Sequence, residues 1–193
     1  QDLDECCEAD SFPEFYSRLF SKSTVISQSN AQTIFDKTPR YITDIEAVIS
    51  KVNLPTIAVI KDPRSLTLSD FKRSEKKLEE FDDWYEGWKD AKINYMRLAY
   101  AGYQYAWNND SCLVLRLEDI CFNARATVES MFNFVGLEFR CEYLDLRHKR
   151  FGNTSGSSIS VNSCMQFMTA LPEHIQSRIK EDFSEFDRWF YDF

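Results

Sequence analysis

Residues 33–71 read TIFDKTPRYITDIEAVISKVNLPTIAVIKDPRSLTLSDF, and this stretch decides the predicted fold. Residues 56–60 form a continuous apolar run with the length of a buried parallel strand. Thr33-Ile34-Phe35 is a shorter candidate strand. Each run is followed by a polar motif, Asp36-Lys37-Thr38-Pro39 or Lys61-Asp62-Pro63-Arg64. Because ligands of parallel α/β sheets bind beyond the carboxyl ends of the strands, we expect the two motifs to share one site.

Helical patterns alternate with these apolar runs along the rest of the chain. Pro39 near a first turn and apolar residues at helical spacing predict a helix that ends at Asn53-Leu54-Pro55. We further predict helices over about 12–22, 64–78, 93–107 and 124–134, a last helix beginning at Pro172, and a third strand over 112–117. Gly136 is the expected left-handed cap of the helix over 124–134. The alternation predicts an α/β fold with a parallel sheet and crossover helices.

Composition limits the class of protein. The 193 residues are 44% hydrophobic and 15% aromatic, enough to bury the core of a single domain spanning 1–193. Residues 1–11 are expected to be a loose acidic lead-in. No apolar run approaches the roughly 20 residues of a membrane helix. The formal charge of −8 argues against a nucleic-acid partner, because phosphate neutralisation needs a basic face.

Six cysteines and two histidines also bear on the kind of site. No two cysteines have C-x-x-C spacing, so a zinc site is not indicated. Cys112 and Cys121 lie in apolar surroundings and are expected in the core. Reduced thiols in a cytoplasm-like compartment are favoured, while a signal or anchor upstream of Gln1 stays open.

The polar motifs suggest anion chemistry. A turn that leads from a strand into a helix offers free backbone N–H groups and a favourable dipole to an anion. Lys61 and Ser69, eight residues apart, could both meet a phosphate near the start of that helix. The Asp36 carboxylate beside the Lys37 ammonium is a candidate general base next to an electrophilic cation.

The order of these motifs resembles the sulfotransferases that use 3′-phosphoadenosine 5′-phosphosulfate (PAPS), in particular their bacterial and Golgi-type branch. That branch has Glu-Lys-(Ser/Thr)-Pro, a helix, a strand, and Arg-(Asp/Asn)-Pro followed five residues later by Ser. Residues 113–139, LVLRLEDICFNARATVESMFNFVGLEF, resemble its later strand, acidic turn, helix and Gly-Leu ending. The basic and Gly/Ser/Asn-rich loop at 147–158 resembles its late 3′-phosphate loop. The resemblance covers about residues 33–193.

The resemblance implies a P-loop-NTPase-like three-layer sandwich with a parallel central sheet, incomplete at the N-terminus. It implies that an acceptor hydroxyl or amine, on a small molecule or a glycan, attacks the sulfur of PAPS without a metal. Asp36 would take the acceptor's proton, and Lys37 would stabilise the departing phosphate. Lys61 and Ser69 would hold the 3′-phosphate, aided by Arg147, Lys149, Arg150, Gly152 and Asn153.

Three departures from the family pattern stand out. No segment resembles the phosphosulfate loop Pro-Lys-Ser-Gly-Thr-Thr, and all five glycines lie after residue 86. We therefore expect either a fragment or a protein without the 5′-phosphosulfate site. Asp36 replaces Glu, which shortens the reach of the carboxylate. Lys61 replaces Arg, and an ammonium cannot form the two-pronged contact of a guanidinium with phosphate.

Other interpretations remain open. Asp36-Lys37 could be a surface ion pair, and the motif at Lys61 could be only a turn. Glu118-Asp119 could simply fix a turn, and the aromatic residues at 81–88 could be core, a lid or a substrate box. A degenerate, non-catalytic nucleotide-binding module would keep the 3′-phosphate pocket. A small-molecule kinase is disfavoured, because no Gly-Lys-(Ser/Thr) phosphate loop is present.

Overall fold

The computed structural model describes residues 2–24, 33, 35–145 and 159–190. These ranges contain a small parallel sheet surrounded by helices. The strands are β1 (Thr56–Ile60) and β2 (Cys112–Arg116). In chain order, the α-helices are α1 (Asp2–Cys7), α2 (Phe12–Lys22), α3 (Ile45–Val52), α4 (Pro63–Arg73), α5 (Phe81–Trp107), α6 (Leu117–Phe122), α7 (Ala124–Phe134), α8 (Asn162–Met165), α9 (Phe167–Ala170), α10 (Glu173–Asp182) and α11 (Asp187–Phe190). Short 3-10 helices cover Pro39–Asp44, Leu78–Glu80, Cys141–Leu144 and Ser184–Phe186.

The two strands pair in parallel, in a register that runs from Thr56 opposite Cys112 to Ile60 opposite Arg116. Helices α4 and α5 lie between the strands in sequence. Both strands therefore end at the same edge of the sheet, as a parallel pair with a helical crossover must. The expected α/β class is confirmed at this coarse level. The structure is mostly helical, and its described part contains a sheet of two strands.

Helix α5 is the centre of the hydrophobic core. Phe81 and Tyr85 on its first turns are fully buried, so the aromatic residues at 81–88 include core residues. Further along, the backbone at Gly102 approaches the 3-10 helix at Pro39–Asp44. A Cβ atom on Gly102 would overlap the carbonyl oxygen of Ile42. The absent side chain is what lets this segment pack against α5.

Helix ends follow the local sequence. Asp62 caps α4, because its Oδ1 accepts a hydrogen bond from the Arg64 backbone N–H at 2.7 Å. Asn53 ends α3 in the left-handed conformation, with φ of 49°. Gly136 follows α7 with φ of 72°, which confirms the predicted left-handed cap. Helix α4 ends at Arg73, five residues earlier than the predicted Leu78.

Two expectations for the first forty residues are wrong. Thr33 and Phe35 lie outside any strand, while Ile34 is outside the described residues. The Phe35 side chain is 65% exposed, so it lacks the burial that would hold an apolar strand in a sheet. Residues 1–11 are not simply loose, since α1 covers Asp2–Cys7 and packs on α2. Cys6 is buried, and Lys22 forms an ion pair with Glu5.

Two details around the sheet also differ from the prediction. β1 is not buried throughout, because Val59 is 41% exposed while Ala58 and Ile60 are buried. Glu118-Asp119 is not a terminating turn but the first turn of α6, which begins directly after β2. The acidic residues there suit the positive end of that helix.

No helix in the described part of the chain is both long enough and apolar enough to cross a membrane.

Candidate functional site

Lys61, the residue that follows β1, interacts electrostatically with charged side chains of α4 and α6, and these in turn contact a serine and a second lysine. We call this group the Lys61 cluster; it comprises Lys61, Ser69, Asp70, Arg73, Lys92 and Glu118. Asp70 accepts from Arg73 Nη1 at 3.0 Å and pairs with Lys92 Nζ at 2.8 Å. Arg73 Nη2 also donates to Ser69 Oγ at 3.4 Å. The cluster therefore joins the end of a strand to α4, α5 and α6.

The charges in the Lys61 cluster act on one another. Burial lowers the pKa of Lys61, and the charge of Arg73 lowers it further, while Glu118 and Asp70 raise it. The cluster contains three cations, Lys61, Arg73 and Lys92, and two carboxylates, Asp70 and Glu118. An anion placed near Lys61 would be stabilised by the excess positive charge and would favour the charged form of that ammonium. The cluster has the electrostatic character of a small-anion site.

Glu118 is the most buried carboxylate of the cluster, with 2% of the residue exposed. Its Oε1 accepts a hydrogen bond from the backbone N–H of Asp62 at 3.2 Å. Burial raises the pKa of Glu118, and hydrogen bonds from its own backbone and from Asp62 counteract this. Through this contact the first residues after β2 hold the turn that follows β1.

Asp62 and Arg64 have a structural role beside the cluster. Arg64 Nη2 lies 2.6 Å from Asp62 Oδ2, and Arg64 Nε lies 3.0 Å from Asp62 Oδ1. The guanidinium and the carboxylate therefore form a bidentate ion pair. The Arg64 guanidinium also lies 4.5 Å from the centre of the Phe167 ring. Asp62 is 2% exposed. The Lys-Asp-Pro-Arg motif is therefore a rigid, internally paired turn from which Lys61 projects.

Asp36 belongs to a second group, the Asp36 cluster, which comprises Asp36, Tyr16, Thr38 and Tyr41. The hydroxyls of Tyr16 and Tyr41 donate to Oδ2 at 2.7 and 2.9 Å. Thr38 Oγ1 donates to Oδ1 at 2.9 Å. Burial raises the pKa of Asp36, but the three hydroxyl hydrogen bonds outweigh it and the net shift is downward. Burial and the Asp36 charge raise the pKa of Tyr16 well above its usual range.

A cavity of about 610 Å³ lies next to the Asp36 cluster. Tyr16 and Tyr41 line it together with Phe12, Phe15 and Lys51. Its volume lies within the range of small-molecule sites, and its wall combines aromatic rings with a few polar groups. The cavity and the Asp36 carboxylate thus share the two tyrosines.

The structure brings the predicted site residues together only in part. Arg73 links Lys61 and Ser69, because its charge acts on Lys61 and its Nη2 donates to Ser69 Oγ. Asp36 belongs to the other cluster, and Lys37 beside it is exposed. Among described residues, no hydrogen bond or ion pair joins Asp36 or Lys37 to Lys61 or Ser69. The expectation that both polar motifs follow strands is wrong for Asp36, since Phe35 is not in a strand.

Five further predicted phosphate ligands fall in the loop at 147–158. Arg147, Lys149, Arg150, Gly152 and Asn153 lie outside the described residues.

Sequence reasoning missed several members of the two clusters. Tyr16 is twenty residues from Asp36, and Lys92 is twenty-two residues from its partner Asp70, so no local motif signals either contact. Glu118 carried a signal, because an acidic residue directly after a strand lies at the same sheet edge as the ligand. Arg73 stands four residues after Ser69, the spacing of neighbours on one helix face.

Thiols and metals complete the chemistry of the described residues. All six cysteines are free, and burial raises the pKa of the Cys164 thiol to about 12, which disfavours its nucleophilic thiolate form. Within the ranges described, His, Cys, Asp and Glu side chains form no group of three or more that could hold a metal ion.

Comparison with protein-family models finds no match, and a search of curated proteins finds no significant similarity to this chain.

Proposed function

We propose that this chain is a PAPS-dependent sulfotransferase that binds the 3′-phosphate of its nucleotide at the Lys61 cluster. The observation that carries the proposal is the half-buried Lys61 at the carboxyl end of β1, within the electrostatic influence of Arg73, which donates to Ser69. Cations and a hydroxyl at this edge of a parallel sheet are what a phosphate ester would use. The sequence resemblance supplies the identity of the nucleotide.

The proposed reaction is an in-line transfer of the sulfuryl group. The acceptor oxygen or nitrogen bonds to sulfur while the bond from sulfur to the bridging phosphate oxygen breaks. The acceptor's proton passes to Asp36, and adenosine 3′,5′-bisphosphate leaves with the bond's electron pair. The acceptor, a small molecule or a glycan, would lie in the cavity beside Tyr16 and Tyr41. Positioning and fixed positive charge would supply the catalysis.

The parallel pair β1–β2 would be part of the central sheet of a P-loop-like three-layer sandwich. The described strands support it by their parallel pairing, their helical crossover and the position of Lys61 at their shared edge. In such a fold the carboxyl ends of the strands carry the nucleotide.

Thermal denaturation with and without adenosine 3′,5′-bisphosphate tests the proposal. A nucleotide at about a hundred times its dissociation constant stabilises the folded state by about 2.7 kcal/mol. Lys61→Met keeps the aliphatic stem and removes the charge, so we expect it to abolish most of this stabilisation. Lys72→Met, on the exposed face of α4, is the matched control and should respond like the wild type. No stabilisation of the wild type would contradict the proposal.

A second candidate function is a nucleotide-binding module without transfer activity. The geometry around Asp36 favours it, because this carboxylate already accepts three hydroxyl hydrogen bonds and has a lowered pKa. A carboxylate in that state is a weak proton acceptor. Turnover of labelled PAPS with phenol, alcohol and sugar acceptors separates the two candidates. Transfer that falls in Asp36→Asn supports the enzyme, whereas nucleotide binding without transfer supports the module.

A further inference from the structure

Glu118 joins the ends of the two strands through a single buried contact. It is the second residue of α6, just beyond β2, and its Oε1 accepts from the Asp62 backbone N–H. Asp62 follows Lys61 directly, so this contact fixes the peptide that links the two residues. The partners are 56 residues apart in sequence, and Glu118 and Asp62 are both 2% exposed. A buried contact of this kind restrains the Lys61 backbone from the opposite strand.

The chemistry of the contact makes a carboxylate at this position costly to keep. A buried carboxyl loses hydration, and the Asp62 carboxylate nearby adds like-charge repulsion. An apolar side chain would avoid both costs, but it would leave the Asp62 N–H buried without its acceptor. The charged groups facing Glu118 include Lys61 and Asp62, and the Cys121 and Cys164 thiols lie near it. Of these, Lys61 alone offers it a compensating positive charge.

We propose that Glu118 is a positioning residue, whose carboxylate oxygen holds the Lys61-Asp62 peptide so that the Lys61 ammonium meets the nucleotide's 3′-phosphate. The identity of the phosphate rests on the proposed function, whereas the hydrogen bond that restrains the peptide does not. Glu118 contacts the turn and not the ligand. Its negative charge by itself opposes an anion, so its contribution to binding must come through geometry.

The positioning and the negative charge of Glu118 affect nucleotide affinity in opposite directions, so two variants can separate them. Glu118→Gln keeps an oxygen that can accept from Asp62 N–H and removes the negative charge. Glu118→Ala removes both. If Glu118 positions Lys61, the Gln variant binds adenosine 3′,5′-bisphosphate at least as tightly as the wild type, and the Ala variant binds about tenfold more weakly. If only its charge mattered, both variants would bind more tightly by the same factor.

Isothermal titration of adenosine 3′,5′-bisphosphate into the folded variants makes this comparison, with Glu129→Ala on the exposed face of α7 as control. The control should match the wild type. Equal tightening of both Glu118 variants, equal weakening of both, or unchanged affinity in Glu118→Ala would overturn the positioning role. The double variant Lys61→Met with Glu118→Ala should bind no more weakly than Lys61→Met alone, because positioning acts through Lys61.

Hydrogen exchange of the Asp62 amide tests, without any ligand, whether the hydrogen bond to Glu118 restrains the turn. The amide should be protected in the wild type and in Glu118→Gln, and should exchange much faster in Glu118→Ala. Protection that persists in Glu118→Ala would overturn the inference, even if the nucleotide binds. If the exchange follows the expected pattern but the wild type binds no nucleotide, the proposed function is wrong. The inference that Glu118 fixes the Lys61-Asp62 peptide is then still supported.

Discussion

The Lys61 cluster and the Asp36 cluster begin from similar polar motifs and are built in different ways. Lys61 follows a paired strand, projects from a turn held by Glu118 and interacts with charged groups on α4 and α6. Asp36 follows an exposed Phe35 outside any strand, and neutral hydroxyls surround its carboxylate. The Lys61 cluster carries excess positive charge in a rigid frame, whereas the Asp36 cluster stabilises one negative charge beside a cavity. The difference indicates that the first is suited to bind an anion and the second to contact a neutral guest.

The largest effect is expected in the frame of the Lys61 cluster. Asp62→Ala removes the cap of α4 and leaves the partly buried Arg64 guanidinium without this carboxylate. We expect the free energy of unfolding to fall by about 3 kcal/mol, as when one member of a buried pair is removed. Urea denaturation measures it. Asp62→Asn keeps the capping oxygen and should lose less; equal losses would mean that the cap contributes nothing.

A smaller effect is expected where the Asp36 cluster meets the core. Gly102→Ala places a Cβ against the Ile42 carbonyl oxygen and should push the 3-10 helix at Pro39–Asp44 away from α5. We expect a loss of about 2 kcal/mol from overpacking. Gly87→Ala in the same helix has open space and should instead gain about 0.5–1 kcal/mol.

The Gly102→Ala variant also tests whether the two clusters are structurally independent. NMR shift changes in Gly102→Ala should reach Tyr41 and Asp36 and spare Ser69 and Lys61. Shift changes of similar size in both clusters would show that they form one structural unit.

Some elements of the fold could be predicted from the sequence because their signals are local. β1, β2 and the start of α4 follow from apolar runs and an Asp-Pro cap, which are local signals. The strand proposed at Thr33–Phe35 failed because three apolar or β-branched residues do not ensure a pairing partner. The link from Lys61 through Arg73 to Ser69 is also local, because all three residues lie on one turn and the helix that follows it.

The contacts that the sequence did not predict join residues far apart along the chain. Tyr16 reaches Asp36 because α2 packs against α3, and Glu118 reaches Asp62 because the strands are parallel. Neither contact has a periodic pattern. The three-layer arrangement, the roles of Asp36 and Lys37, and transfer activity stay predictions.

The smallest effect concerns the pKa of Asp36. Tyr16→Phe removes one of the two hydroxyl groups that donate hydrogen bonds to Asp36 Oδ2, so the pKa of Asp36 should rise toward its ordinary value. Because the folded pKa lies below the unfolded one, Asp36 stabilises the fold above the unfolded pKa, and this stabilisation disappears as pH falls through the folded pKa. The variant should lose part of that pH dependence. Carboxyl NMR titration measures the pKa, with Tyr100→Phe as control; an unchanged Asp36 pKa would contradict the hydrogen-bonding account.

The central claim is that Lys61 and Ser69 bind a 3′-phosphate. Calorimetric titration of adenosine 3′,5′-bisphosphate and adenosine 5′-monophosphate into the same protein isolates that phosphate, because the two nucleotides differ only there. We predict that the wild type prefers the bisphosphate by at least about tenfold, the value of one charge-assisted contact, and that Lys61→Met loses this preference. Equal affinity of the wild type for both nucleotides, or a preference that survives in Lys61→Met, would contradict the account.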